Sequence, residues 1–482
     1  MFIGRKRELG QLDRSYESGI FQMVVVYGRR RVGKTALLHE FSSNKESVVY
    51  FTARQTLAMD NLEELSSAIA REGRGTPSFP VARVGSAAVE SSVIAAPSYR
   101  TFSDAFTTLF AIANNRRLLV IIDEYPYLAE SYPGISSLLQ TLIDEYQETS
   151  KMMLVLCGSS TSFMEHQVLG EKSPLYGRRT SQLKLKPFDA FDAKGLLETE
   201  DATKVVDFYS IVGGIPQYLR QLDASETTAW NIANRVLESC AYLSSEPDNF
   251  LLQEVRNPAT YNSLLAALAR GCVRPQEMSD AIGVSSSLVS QYLSRLEELS
   301  VVRKIRPLPM GAKRQVRYEI ADNLLRFHYS FAVKHETSLE AGLTELVTSR
   351  ILPREFPTYV GHSFEEVCRQ WLLRQMIQGN IGMLPRALGT WWGADRQGQQ
   401  EEVDIVAVGS DDELILGECK WTASPVGSSV LAALRRRAAL INGGEAAPLF
   451  IFSRSGFKDE LRSEAEKDAR VCLVTLADMF GA

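Results

Sequence analysis

Residue types and spacing first amount to chemistry in the octapeptide Gly28-Arg-Arg-Arg-Val-Gly33-Lys34-Thr35. It closes an apolar run, Met23–Tyr27, and opens a helical pattern over Thr35–Phe41, the strand–loop–helix setting that a phosphate-binding loop requires. Gly28 and Gly33 let backbone N–H groups close on a phosphate chain where a Cβ would intrude. The helix that follows presents its positive end to the anion. Lys34 then neutralises the β and γ phosphates of ATP, and Thr35 offers its hydroxyl to Mg²⁺. A glycine turn matching by chance would not place strand, loop and helix in register.

Two further strand ends supply what hydrolysis needs beyond binding. Leu118-Leu-Val-Ile-Ile-Asp123-Glu124 is an apolar run ending in two carboxylates, as expected of a strand covered on both faces. Alone, Asp123 would read as a helix cap; beside a phosphate loop it reads as the Mg²⁺ anchor, acting through water. Glu124 is then placed to polarise the attacking water. Leu154–Cys157 ends in Gly158-Ser159-Ser160, which brings a hydroxyl either to the γ phosphate or water, or to the cap of the next helix. Arg178 and Arg179 offer either an arginine finger, in cis or from a neighbouring copy, or a solvated basic turn.

These groups need parallel strands to carry them, expected at Met23–Tyr27, Val48–Thr52, Leu118–Asp123 and Leu154–Gly158. The helices Thr35–Phe41 and Ser136–Thr149 alternate with them, so the first third reads as α/β. The whole chain has 482 residues, 45% apolar and 23% charged, enough for roughly three ordinary globular domains. A net charge of −5 excludes a global basic field, so any nucleic-acid contact must come from a local patch. Six scattered cysteines without a CxxC pair argue against a disulfide framework and a zinc site. No stretch reaches the apolar length of a membrane span and no signal core opens the chain, so a cytoplasmic protein with no membrane partner is expected. Residues 73–100, rich in Gly, Pro, Ser and Ala, read as a flexible insertion.

Together, Phe2-Ile-Gly-Arg5-Lys-Arg-Glu8, the phosphate loop, Val-Ile-Ile-Asp-Glu-Tyr-Pro-Tyr-Leu, Ser-Pro-Leu-Tyr-Gly-Arg-Arg and Gly-Gly-Ile-Pro-Gln-Tyr-Leu resemble the archaeal-type AAA+ ATPases, a branch related to the STAND signalling NTPases. The resemblance covers residues 2 to about 220. It implies that Arg5 and Glu8 precede the nucleotide pocket, and that Gly214-Ile-Pro216 stands in for the second sensor, near the base or phosphates. Where many relatives carry Asn at the first sensor, this chain has Ser159 or Ser160.

Residues 261–320 look like a winged helix. Leu264, Leu265 and Leu268 form a core-facing stripe, Pro275–Gly283 a short helix and turn, and Ser285–Leu299 a longer serine-capped helix. Val301–Ile305 and Val316–Ile320 flank a turn at Gly311. Between Arg303 and Arg317 stand Arg303, Lys304, Arg306, Lys313, Arg314 and Arg317 and no acid, a local footprint for phosphates. On that reading Ser286, Ser287, Ser290 and Gln291 face a DNA major groove; on the other, the module packs between domains.

In the last third, Glu401-Glu402-Val403-Asp404 and Glu418-Cys419-Lys420 lie on two strands joined by a turn. Glu418 and Lys420 share a strand face. Two carboxylates can hold Mg²⁺ and an adjacent ammonium can orient water. The spacing resembles the PD-(D/E)xK nuclease core; with Gly361-His-Ser-Phe-Glu365 resembling its helix glutamate, Glu365, Asp404 and Glu418 would be metal ligands and Lys420 catalytic. Residues 321–482 also resemble the DUF234-type domain commonly fused to these ATPases, whose fold does not guarantee activity. Trp391 and Trp392 read as core, and Arg435–Arg437 as a solvated face or a phosphate track.

The expected architecture is therefore α/β throughout. It comprises a P-loop AAA+ ATPase core (1–188), a helical lid (189–260), a winged helix (261–335) and a restriction-endonuclease-like domain (336–482). Two functions follow: an ATPase acting on DNA through an ATP-controlled, Mg-dependent nuclease-like domain, or a STAND-like switch, acting by homo-oligomer or domain arrangement, with an inactive C-terminal module.

Overall fold

The computed structural model describes residues 2–72, 99–309 and 316–481, in two compact units, Met1–Lys186 and Pro187–Ala482. The insertion expected at 73–100 falls almost wholly outside the described residues, as do Gly311, Lys313 and Arg314 of the basic wing.

In the first unit, β1 (Gln22–Tyr27), β2 (Val48–Thr52), β3 (Leu118–Asp123), β4 (Met152–Gly158) and β5 (Ser181–Lys184) form one sheet in the order β2-β3-β4-β1-β5. Every pairing is parallel. Alternation along the strands sends successive side chains to opposite faces. Met23, Val25 and Ile122 thus join one core with the helices Ala58–Glu72, Phe102–Asn115 and Ile135–Tyr146. Val24, Val26 and Ile121 join another with Leu37, Leu38 and Phe41 of the helix Lys34–Ser42. Coverage on both faces is why β3 and β4 are buried at every residue and read as continuous apolar runs. The register pairs Tyr27 with Gly158 and Thr52 with Asp123, so the chemically notable residues share the carboxyl edge of the sheet, where open α/β folds bind ligands.

The second unit contains a mixed sheet of β8 (Pro385–Ala394), β9 (Gln400–Gly409), β10 (Leu414–Lys420), β11 (Leu449–Ser453) and β12 (Val471–Thr475), in the order β12-β11-β10-β9-β8; the short hairpin pairs β6 (Val302–Ile305) with β7 (Arg317–Ile320). The β8–β9 and β9–β10 pairings are antiparallel, the remaining two of the large sheet parallel. Ile405 and Ala407 face the helix Phe356–Ile377, and Val406 and Val408 face Leu431 and Leu434 of the helix Ser428–Ala438. The tryptophans expected before the hairpin lie on β8 itself, Trp392 buried and Trp391 partly so.

Helices Pro258–Ala269, Pro275–Ile282 and Ser286–Glu298 precede β6 and β7, the order of elements expected of a winged helix. They close a separate core around Leu264, Leu265, Leu268, Val289 and Leu293. Ser285 caps the third helix by accepting from the Leu288 N–H, and Gly283 ends the second in the left-handed region, each a standard terminator.

The expected lid and the C-terminal module share one core. Val205, Phe208, Ile211 and Tyr218 of the helices Ala202–Val212 and Pro216–Leu219 belong to the same apolar cluster as Phe364, Ile405, Phe452 and Phe480. Gly214 has glycine's freedom for a reason of space: a Cβ there would collide with the Phe188 carbonyl oxygen, whose own N–H donates to Gly214 O at 2.8 Å.

Candidate functional site

The phosphate loop leaves β1 through Gly28, at φ 147°, and enters the helix Lys34–Ser42 through Gly33, at φ 92°. Gly28 cannot be replaced without displacing backbone, because its Cβ would strike the Leu185 carbonyl oxygen. Arg31 also has positive φ, 69°, so the turn alternates handedness in the manner of backbone nests that collect N–H groups around an anion. Arg5 braces the loop from behind: its guanidinium donates to Val32 O at 3.1 Å and Lys186 O at 2.6 Å and pairs with Glu8 at 3.3 Å.

Lys34 is buried at 4% exposure, with Nζ donating to Gly28 O at 2.9 Å and Arg29 O at 3.0 Å. Burial depresses its pKa, against the pull of Cys157, Glu124 and Asp123. An ammonium held in so dry a place is strongly favoured by an arriving polyphosphate.

Asp123 is buried, and the Thr35 hydroxyl donates to its Oδ2 at 2.9 Å. Two hard oxygens touching at the mouth of an anion cradle are the donors that Mg²⁺ takes alongside phosphate and water, so the residues present fit that ion. The Glu124 N–H donates to Asp123 Oδ1 at 3.0 Å. Glu124 has φ 54°, an uncommon conformation for a non-glycine residue that is concentrated at functional sites. Its carboxylate accepts from Ser159 Oγ at 2.5 Å and Ser159 N at 3.2 Å. Ser160 instead caps the next helix, accepting from the Phe163 N–H.

Lys34, Thr35, Asp123, Glu124 and Ser159 thus converge. Arg178 is bidentate on Asp144, at 2.7 and 2.6 Å, and Arg179 is exposed with NH1 donating to Leu169 O at 3.3 Å. Pro216 opens a short helix of the second unit. Sequence reasoning missed Tyr50, whose hydroxyl donates to Asp123 Oδ2 at 3.0 Å; its signal was a lone phenol inside the apolar run Val48–Phe51.

In the second unit the acids meet as the hairpin spacing required. Cys419 N–H donates to Asp404 Oδ2 at 2.8 Å, and Lys420 Nζ to Glu418 Oε1 at 2.6 Å. Burial, then the Glu418 charge, raises the Asp404 pKa; burial, then the Asp404 charge, raises that of Glu365. Glu418 is already neutralised, since Arg437 reaches both its oxygens at 3.0 and 2.9 Å. Among the described residues no group of three His, Cys, Asp or Glu side chains is arranged to hold a metal; Glu418 is paired with Arg437 and Lys420, and Glu365 with Arg369 at 3.7 Å. Arg437, expected on a solvated face or along a phosphate track, is partly buried and pairs with Glu418 and Glu401.

In the wing, too, arginines meet acids of the same unit. Arg303 pairs with Glu319 and with Glu366, the latter at 2.9 Å. Arg317 pairs with Glu402 at 3.5 Å and lies 4.3 Å over the Trp392 ring. Leu308 N–H donates to Thr390 O of β8 at 2.9 Å. Two arginines of the expected phosphate footprint therefore bind the chain's own acids, along a cleft of about 820 Å³ that Lys304, Arg306, His362 and Glu365 also line.

A parallel sheet whose carboxyl edge joins this loop, a hydroxyl–aspartate pair and a restrained glutamate defines a P-loop ATPase. The comparisons agree: residues 2–222 match a family described as an ATPase domain predominantly from Archaea, and residues 328–431 one described as archaeal and bacterial proteins of unknown function. The first match is to the archaeal ATPase family and the second to the DUF234 family. It is 27% identical to an uncharacterised protein of Methanocaldococcus jannaschii over 87% of this chain and 88% of that one. An uncharacterised ATP-binding protein of the same organism is 46% identical over 10% of this chain and 78% of its own length. The Walker-type ATPase of Pyrococcus abyssi superposes with a TM-score of 0.50 at 18% identity, covering 68% of this chain and 96% of that one. Among the described residues no helix is long and apolar enough to cross a membrane.

Proposed function

We propose that the chain is a magnesium-ATP-hydrolysing switch whose nucleotide state sets the conformation of its C-terminal module. In the ATPase site Lys34 neutralises the terminal phosphates, and Thr35 and Asp123 would hold Mg²⁺, which when bound disperses phosphate charge. Glu124 accepts hydrogen bonds from Ser159 and, once turned to the attacking water, polarises it.

One observation carries the coupling. The ATPase-family match extends to residue 222, and its last helices are built into the core of the C-terminal module. Arg374 clamps Asp189 at 2.7 and 2.6 Å and Asp192 at 2.8 Å, Ala190 N–H donates to Gln370 Oε1 at 2.9 Å, and Phe191 stacks on Phe480 with centroids 4.8 Å apart. Close-packed interiors pass displacement on instead of absorbing it, so a nucleotide-driven shift of residues 189–222 carries the sheet with it. With Arg374→Ala, ATP hydrolysis stays within about threefold of wild type. The difference in hydrogen exchange between ATP and ADP states over 356–420 shrinks on the order of fivefold, a coupling loss of ordinary size. An undiminished difference in that variant would sink the coupling.

The placement of Asp404, midway along β9, beside Glu418 and Lys420 at the end of β10 favours a second reading, an ATP-controlled magnesium nuclease acting on DNA. It requires Arg437 to leave Glu418 and the paired wing arginines to turn outward. Supercoiled plasmid with Mg²⁺ or Mn²⁺ decides it: nicking by wild type that Asp404→Ala abolishes supports a nuclease. Intact plasmid in every nucleotide state leaves the switch alone.

A further inference from the structure

We propose that Tyr50 is a positioning residue of the ATPase: its phenol holds Asp123 in the orientation in which Asp123 and Thr35 jointly take the metal. This rests on the magnesium reading above. Tyr50 lies on β2, next to β3 in the sheet, at 4% exposure. Its hydroxyl donates to Asp123 Oδ2 at 3.0 Å, the oxygen that also accepts from Thr35 at 2.9 Å, while Oδ1 accepts from the Glu124 N–H at 3.0 Å. Donors on both oxygens fix the carboxylate plane as well as its position.

The phenol is itself held. His39, one turn beyond Thr35 on the same helix, stacks on the Tyr50 ring with centroids 4.6 Å apart and planes within 5°. Helix, β2 and β3 therefore meet at one carboxylate. Phenylalanine would fill the same volume; what the hydroxyl adds points at the metal anchor.

Tyr50→Phe in the full chain separates this role from packing. ATP hydrolysis is followed across a magnesium titration, and ATP affinity is measured separately in EDTA. The half-saturating magnesium concentration rises about tenfold, the scale of one hydrogen bond to a charged group, and affinity in EDTA stays within about twofold. On an Asp123→Asn background Tyr50→Phe adds little, as for residues acting through one contact. An unmoved magnesium midpoint overturns the proposal, and so does an equal loss of affinity in EDTA, which would mark a structural role. Wild type hydrolysing ATP without magnesium would overturn the metal reading along with it.

Discussion

Lys34→Ala lowers kcat/KM for ATP by on the order of 10²–10³ or more, the range for deleting one preorganised group that meets transition-state charge. The ammonium sits at 4% exposure with Gly28 and Arg29 carbonyls around it, so no mobile surface lysine can take its place. Binding falls as well as turnover, because the same ammonium faces the ground-state phosphates. Equilibrium nucleotide titration together with steady-state hydrolysis reads both. A variant hydrolysing ATP at even a third of the wild-type rate would remove the loop from the reaction.

Glu124→Gln separates binding from chemistry. The substitution keeps an acceptor for Ser159, whose hydroxyl and N–H both address this side chain, but a neutral amide cannot take a proton from water. Turnover falls about 10²- to 10⁴-fold, the usual worth of a positioned general base, while ATP affinity is preserved or improved. Single-turnover hydrolysis with filter binding measures the split. Rapid hydrolysis by the variant would pass the role of base to another residue; joint loss of binding and rate would make Glu124 a structural cap.

Most of this site was legible in the sequence because it is local. Loop, helix start and strand end are each a few residues long, and parallel strands buried on both faces write themselves as unbroken apolar runs. What escaped was tertiary. Tyr50 lies 73 residues from Asp123, and an apolar strand gives no sign that one of its rings bears a donor aimed sideways along the sheet. That Ser159, and not Ser160, meets Glu124 turns on which hydroxyl faces back toward β3.

The second unit was legible in its elements but not in its pairing. Basic residues at the wing suggested phosphates, yet Arg303 and Arg317 find Glu319 on the facing strand and Glu366 and Glu402 from elsewhere in the chain. Arg437 follows Leu434 and precedes Ala438, both buried; that stripe could have shown that it points inward toward the sheet. A shared core between residues 188–222 and the last sheet has no local signature at all.

The Arg437–Glu418 pair gives the C-terminal cluster a built-in counter-ion. Any divalent cation competing for that carboxylate enters by ion exchange, displacing a guanidinium rather than filling bare charge. Its apparent affinity is then a difference between two attractions, and whatever draws the arginine away acts as a loading step.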